Sequence, residues 1–496
     1  MRSDMERSSG ILLHISSLPS PYGVGTLGRE AREFIEFLDS AGQRFWQMLP
    51  VGPTGFGDSP YQSFSSFAGN PFFVDLGLLA EEGLLTEAEA GAGTWGDRPE
   101  QADYSLLARR RPAVLRQAYE RGRERLRGEW EGFCRDNDAW LKDYALFMAL
   151  KEHFRQTPWD QWEDRALRFH RQEAADLWRE RLAGEVEYHS FVQYLFFRQW
   201  GALKAFAEEH GIRLIGDLPI YAAPDSADVW GNQEEYLLDG EGRPLAVGGT
   251  PPDAFTSQGQ LWGNPLYRWE KMKENDYRWW KARMGAAAAL FHVVRLDHFR
   301  GLESYWQIPA GAESAAAGCW AKGPGLSLIR ALQEALPDLA VIAEDLGCLT
   351  PEVRELLEAS GWPGMKVLEF AFDSLQPSDY LPHRYGRRCA VYTGTHDNLP
   401  AAAWFSELSA DTVLYAAEYL GLSREEGRVW GLIRGGMSSV GELFIAQMQD
   451  YLELGRESRM NTPGTLGGNW QWRLVPGQLS PELARRIREL TALYER

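Results

Sequence analysis

The stretch Val293 Val294 Arg295 Leu296 Asp297 is a short apolar run that ends on a carboxylate, and its design recurs along the chain. Runs at 11–14, 45–49, 214–217, 341–344, 366–370 and 390–393 are equally brief, mainly aliphatic or aromatic, and stop at polar or charged residues. An eighth follows at 443–448. Near-continuous apolar runs of this length read as parallel strands buried on both faces, not as the alternating strands of a half-solvated sheet. Between them lie segments of helical spacing, such as Leu326, Ile329, Leu332 and Leu336 ahead of Pro337. This alternation predicts an α/β protein, a (β/α)8 TIM-type barrel with helical and loop insertions. No GxGxxG turn follows any strand, which argues against an open doubly wound sheet.

Two stretches interrupt the rhythm. The barrel is expected to begin in residues 1–79, to take a mainly helical insertion over 80–205, to resume at 206–220, to take a loop-rich lid insertion over 221–264, and to finish in 265–496. Trp140, Tyr144, Phe147 and Met148 give the first insertion its helical period, and Gly248 Gly249 Thr250 Pro251 Pro252 give the second its irregular character.

The composition narrows the chemistry. With 496 residues, 44% hydrophobic and 25% charged, the chain is long enough for a large core and unlike a disordered or fibrous protein. Lys+Arg 52 against Asp+Glu 70 leaves −18, which repels nucleic-acid phosphates and anionic membranes. The run Arg109 Arg110 Arg111 reads as a solvated helix end. Cys134, Cys319, Cys348 and Cys389 form no CxxC pair, so neither a zinc cluster nor a disulfide framework is indicated, and a cytoplasmic location is expected. His14 lacks a second ligand at metal spacing and reads as a packed rim residue. Trp 20, Tyr 19 and Phe 23 suit either a large core or a cleft in which sugar rings stack on aromatic faces.

Four of the runs end in or just before an acid, Asp217, Asp297, Glu344 and Asp397, and a barrel brings all four to one rim. Arg295 and Asp297, two apart, share a face, where a fixed guanidinium favours the ionised carboxyl that a nucleophile requires. His298, between them and the next turn, is expected to point away from Asp297 on a regular strand. Glu344 leaves a Val-Ile-Ala strand, a setting that raises its pKa and keeps it an acid. Two carboxyls tuned apart are what glycosidic cleavage with retention needs, and Asp397 is placed to oppose the positive charge of an oxocarbenium-like transition state.

These segments resemble a known family. Val294 Arg295 Leu296 Asp297 His298 Phe299 Arg300 Gly301, Ala343 Glu344 Asp345 Leu346 Gly347 and Tyr392 Thr393 Gly394 Thr395 His396 Asp397 Asn398 are similar to the signature segments of the amylomaltases, the bacterial 4-α-glucanotransferases of the α-amylase clan. Ser59 Pro60 Tyr61 Gln62 Ser63, Ile215 Gly216 Asp217 Leu218 Pro219, Trp262 Gly263 Asn264 Pro265 and Arg459 Met460 Asn461 extend the resemblance over nearly the whole chain. It implies a retaining α-1,4-glucan transferase with Asp297 as nucleophile, Glu344 as general acid/base and Asp397 as transition-state stabiliser. It further implies that Arg295, His396 and Asp217 hold the sugar at the cleavage point, with Tyr61 stacking beneath it and Ser59 and Asn461 hydrogen-bonding. Its substrates would be α-1,4-glucans and maltooligosaccharides, with no metal and no organic cofactor.

The chain departs from the family pattern at Ala254 and Ser257, where many members carry Tyr and an acid, and at Leu399 Pro400, where a polar pair is common. Phe255 and Trp262 are expected to contribute a substrate cover. An α-glucan hydrolase using the same acids is the alternative enzyme. A non-catalytic glucan-binding protein would have lost one of the three acids, and all three are present.

Overall fold

The computed structural model describes residues 7–91, 95–252, 258–347 and 349–496. Its strands, in chain order, are β1 (Ser8–Leu12), β2 (Phe45–Gln47), β3 (Arg213–Leu218), β4 (Ala246–Thr250), β5 (Gln260–Pro265), β6 (Val293–Leu296), β7 (Ser304–Pro309), β8 (Cys319–Lys322), β9 (Ala340–Ala343), β10 (Gly364–Val367), β11 (Cys389–Tyr392) and β12 (Leu443–Gln447). Eight of them, one for each apolar run, form a parallel sheet in the order β10-β11-β12-β1-β2-β3-β6-β9. Followed from β1, each strand lies beside the next parallel strand of the chain, which is the (β/α)8 order. The Ala343 N–H donates to the Pro363 carbonyl at 2.9 Å and draws β9 towards β10, so the barrel is nearly closed. Val293, Val294 and Leu296 in β6 and Ile342 and Ala343 in β9 have no exposed surface, as strands covered on both faces require.

Helices sheathe the barrel. Arg29–Ser40 buries Phe34, Ile35 and Leu38 and meets the last helix, Pro481–Leu493, which joins the two ends of the chain. Leu326–Ala335, with Leu328, Ile329 and Leu332 buried, and Pro351–Ser360 fill successive crossovers. Between β10 and β11 the described residues hold only the 3₁₀ turns Glu369–Ala371 and Pro382–Arg384, so that crossover lacks an α-helix. Residues 76–209 are largely helical. Asp138–His153 turns Tyr144 and Phe147 inward against the long helix Ala183–Glu209. Trp279 and Trp280, buried on Arg278–Leu290, are core packing.

The stretch 221–264 is more ordered than its sequence implies. It supplies β4 and β5, which join β7 and β8 in an antiparallel sheet of order β5-β4-β7-β8. Glycine has little strand propensity, so Gly248 Gly249 hides β4 from a sequence reading. Gly249 is required by close approach, since a Cβ there would lie 2.1 Å from the Gln260 carbonyl oxygen. Ala254, Phe255, Ser257 and Cys348 lie outside the described residues. Among the described residues no helix is long and apolar enough to cross a membrane.

Candidate active site

At the carboxyl ends of the barrel strands, Asp217 of β3 sits in register with Arg295 of β6. One Arg295 Nη1 reaches both oxygens of Asp217, at 2.7 and 2.6 Å, and the Oδ1 of Asp297 at 3.1 Å. The Asp217 side chain has no exposed surface and that of Arg295 has 5%, whereas Asp297 keeps 26% and faces the cleft. Burial works against the charge of Arg295, but Asp217 and Asp297 outweigh it and hold the guanidinium well above its ordinary pKa. Burial also lifts Asp217, with Arg295 pulling the other way. The Tyr61 hydroxyl donates to Asp217 at 2.9 Å. Its ring lies nearly parallel to His396, 5.1 Å away at 18°, with Trp470 behind at 5.8 Å. The Ser59 hydroxyl accepts from the Tyr61 N–H at 3.2 Å and sets the start of that turn.

Glu344 follows β9, and its N–H continues the ladder to the Leu296 carbonyl at 3.0 Å. Its carboxyl accepts two backbone N–H groups, from His298 at 2.6 Å and from Leu346 at 3.1 Å. Burial pushes its pKa up to about 8, and Asp297 adds to this while Arg295 and the two N–H donors oppose it. β6 stops at Leu296, so His298 is not on the regular strand expected of it. It adopts φ +51°, the left-handed turn that aims its N–H at Glu344, and its ring meets Trp262 edge-on at 4.9 Å. Burial lowers the His298 pKa to about 4, so the ring is neutral.

Asp397 stands on the turn after β11 with 44% of its side chain exposed. Asn461 Nδ2 donates to its Oδ1 at 2.6 Å, His396 Nε2 lies 3.3 Å from the same oxygen, and Arg459 holds its backbone carbonyl. The Asn461 N–H in turn donates to the His396 carbonyl at 3.1 Å. The structure thus gathers Ser59, Tyr61, Asp217, Arg295, Asp297, Glu344, His396, Asp397 and Asn461 at one rim, with Trp262 bordering it through His298. His14 is buried below, its ring edge-on to Phe73 and its pKa lowered by burial to about 3.

Sequence reasoning passed over the role of Arg459, which fixes Asp397 and Asn461, and two further strand-end acids, Glu369 and Asp450. The signal that marked Asp217 and Glu344 was present in both, but Glu369 fell inside the run 366–370 and Asp450 two residues beyond 443–448.

One carboxyl set on a guanidinium and open to the cleft, beside another that keeps its proton at neutral pH, can perform glycosidic cleavage with retention. The sequence pattern described as 4-alpha-glucanotransferase matches residues 13–478. The chain is 49% identical to a 4-alpha-glucanotransferase of Thermus thermophilus, over 99% of this chain and 100% of that one. It is 45% identical to one of Clostridium butyricum, over 98% and 100%. Its structure resembles that of the amylomaltase from Streptococcus agalactiae, solved in complex with acarbose, with a TM-score of 0.96, 40% identity and coverage of 99% and 100%. The chain belongs to the 4-alpha-glucanotransferase family.

Proposed function

We propose that this enzyme cleaves an α-1,4-glucan with retention and passes the glucanosyl unit to the 4-hydroxyl of another glucan or of glucose, with Asp297 as nucleophile, Glu344 as acid and base, and Asp397 as stabiliser of the transition state. The observation that carries this reading is the contrast between the settings of Asp297 and Glu344. Both are half-buried, but Asp297 has Arg295 against one oxygen, while burial, with Asp297 adding to it, pushes the pKa of Glu344 up to about 8. In the first step an Asp297 oxygen bonds to the anomeric carbon, and the glycosidic oxygen leaves with the proton of Glu344. The His298 and Leu346 N–H groups then stabilise the carboxylate that Glu344 has become. In the second step that carboxylate takes the proton of the incoming 4-hydroxyl, which displaces Asp297.

The remaining residues hold the sugar. Asp217, whose side chain has no exposed surface, acts here by fixing Arg295 and the Tyr61 hydroxyl, and Tyr61 is immobilised at its hydroxyl and its ring. His396, Asn461 and Arg459 set the Asp397 carboxyl where positive charge develops. Ser59 supports Tyr61, and Trp262, standing on β5 against His298, is read as contributing with Phe255, which lies outside the described residues, to a substrate cover from the 221–264 side. Transfer in place of hydrolysis depends on that side, because a bound and oriented acceptor gains an effective molarity that water lacks. A cytoplasmic site of action fits the free thiols of Cys134, Cys319 and Cys389.

Incubation with maltotriose alone tests the function. Glucose and longer oligomers at constant total reducing ends are the expected products, whereas rising reducing ends with only shorter sugars would identify a hydrolase.

A further inference from the structure

Beneath the turn that carries His396 and Asp397 lies a pair of buried acids that the reaction steps do not use. Glu369 follows β10 and is 1% exposed, and Asp450 follows β12 with no exposed surface. Asp450 clamps the two ends of the 393–401 loop, accepting from the Thr393 hydroxyl at 2.5 Å and from the Ala401 N–H at 2.7 Å. Glu369 meets the middle of the loop. Its N–H donates to the Thr393 carbonyl at 3.2 Å, and its carboxyl is hydrogen-bonded to the side chain of Asn398. The Asn398 Oδ1 accepts from both the N–H and the hydroxyl of Thr395, at 2.9 and 2.8 Å, and the Thr395 hydroxyl accepts the N–H of Asp397 at 3.3 Å. Three links therefore join Glu369 to the backbone of Asp397. The packing leaves no slack, since a Cβ on Gly394 would lie 3.0 Å from Glu369 Oε1, from Gln447 Nε2 and from Asn398 Cβ.

We propose that Glu369 is a positioning residue for glycosyl transfer: its carboxyl holds Asn398, and through Thr395 it fixes the turn that presents Asp397 to the sugar. The proposal rests on the reading of Asp397 as the transition-state stabiliser.

The protonated form follows from the surroundings. Among the described residues Glu369 Oε1 has no hydrogen-bond partner, so ionisation would leave a buried charge with Asn398 alone to support it. Among the described residues the charged groups that weigh most on it are Asp450, Asp373 and Arg459, two acids against one cation. That cation is already engaged with the carbonyls of Asp397 and Asn461. Burial raises Glu369 well above the ordinary carboxylate range, and Asp450 and Asp373 raise it further, against the pull of Asn398 and Arg459. Burial also lifts Asp450, but its two donors hold the rise to about 6. The acid with two donors thus takes the charge, and the one with an unpartnered oxygen keeps the proton.

Glu369→Gln and Glu369→Ala, each as the full chain, test this in the maltotriose assay at pH 7, with wild type run alongside to establish the transfer itself. Glutamine reproduces a neutral acid, so Glu369→Gln is expected to keep kcat within about threefold, while Glu369→Ala, which frees the turn, loses about tenfold or more in kcat with KM little changed. A Glu369→Gln variant as impaired as Glu369→Ala, or a Glu369→Ala variant of undiminished kcat, would overturn the proposal. If Glu369→Ala does not fold, the Tm of Glu369→Gln against wild type decides. A raised folded pKa means that the stability this acid contributes is complete below its unfolded value near 4.5 and is lost as pH rises towards the folded value. The Tm advantage of Glu369→Gln should therefore grow from pH 5 to pH 9, and a constant difference refutes the protonated acid.

Discussion

Replacing Glu344 with Gln removes the proton and keeps the shape of the side chain, although its single carbonyl oxygen can accept only one of the two backbone N–H groups that Glu344 takes on separate oxygens. With a pKa of about 8, Glu344 is about nine-tenths protonated at pH 7, half at pH 8 and about one-tenth at pH 9, so the alkaline limb of wild-type kcat/KM should begin near pH 8. With maltotriose the leaving group is a sugar hydroxyl that must be protonated as it departs, and loss of a general acid costs about 10²- to 10⁴-fold, or about 3–5 kcal/mol of barrier. With α-maltosyl fluoride the leaving group needs little protonation, so formation of the glycosyl-enzyme should fall by less than about tenfold. The second step still lacks its base. Glu344→Gln should therefore release a burst of one fluoride per active site and then turn over slowly, with a maltosyl mass increment trapped on Asp297. A fluoride electrode after rapid mixing and intact-protein mass spectrometry would follow both, and azide, which needs no base, should restore turnover. Equal losses with the two donors would refute the assignment of Glu344 as the proton donor.

Arg295→Lys keeps the charge, but all three contacts come from the terminal Nη1 and a lysine chain ends one bond shorter, so its ammonium cannot sit against both Asp217 and Asp297, and kcat/KM should fall by about 10²-fold or more in steady-state assays. Asn461→Ala removes a 2.6 Å hydrogen bond to Asp397 and should lower kcat by about 10- to 100-fold with KM little affected, while Asp397→Ala abolishes transfer; a change confined to KM would instead assign Asn461 to binding alone. Phe255→Ser should shift the ratio of transfer to hydrolysis, read as new reducing ends per glucose formed, and an unchanged ratio would remove Phe255 from the cover.

The eight apolar runs were legible because a parallel barrel buries both faces of each strand, which leaves an uninterrupted hydrophobic signature. The four acids at the strand ends were legible for a related reason, since a carboxyl directly after such a run can only stand on the rim. The antiparallel sheet was not legible. β4 carries Gly248 and Gly249 where close packing forbids a side chain, and β7, Ser304–Pro309, and β8, Cys319–Lys322, mix polar and aromatic residues without a clean period. The turn at His298 also escaped, because its left-handed backbone is dictated by the approach of Glu344 from a neighbouring strand, a contact between residues 46 apart. Arg459 stands in the motif Arg459 Met460 Asn461, but its role was hidden for the same reason, since its partner Asp397 lies 62 residues away.

The rim holds more acids than cations, and the way it tolerates them follows from where each can find a partner. Asp217 and Asp297 share Arg295, and Asp397 takes Asn461 and His396 to its carboxyl and Arg459 to its backbone. Glu344 and Glu369 have no cation within hydrogen-bond reach, and burial raises both. This division suits a neutral substrate that becomes positive only at one carbon and only in transit. A site with every acid ionised would be costly to fold and would attract cations in the resting state, whereas one with every acid neutral would offer the transition state nothing. Keeping Glu344 protonated until the glycosidic oxygen accepts its proton means that a new negative charge appears beside the anomeric carbon as positive charge develops there. The alkaline limit of activity and the strength of the acid are consequently set by one quantity, the pKa that burial and Asp297 give Glu344 against the pull of Arg295 and the two N–H donors.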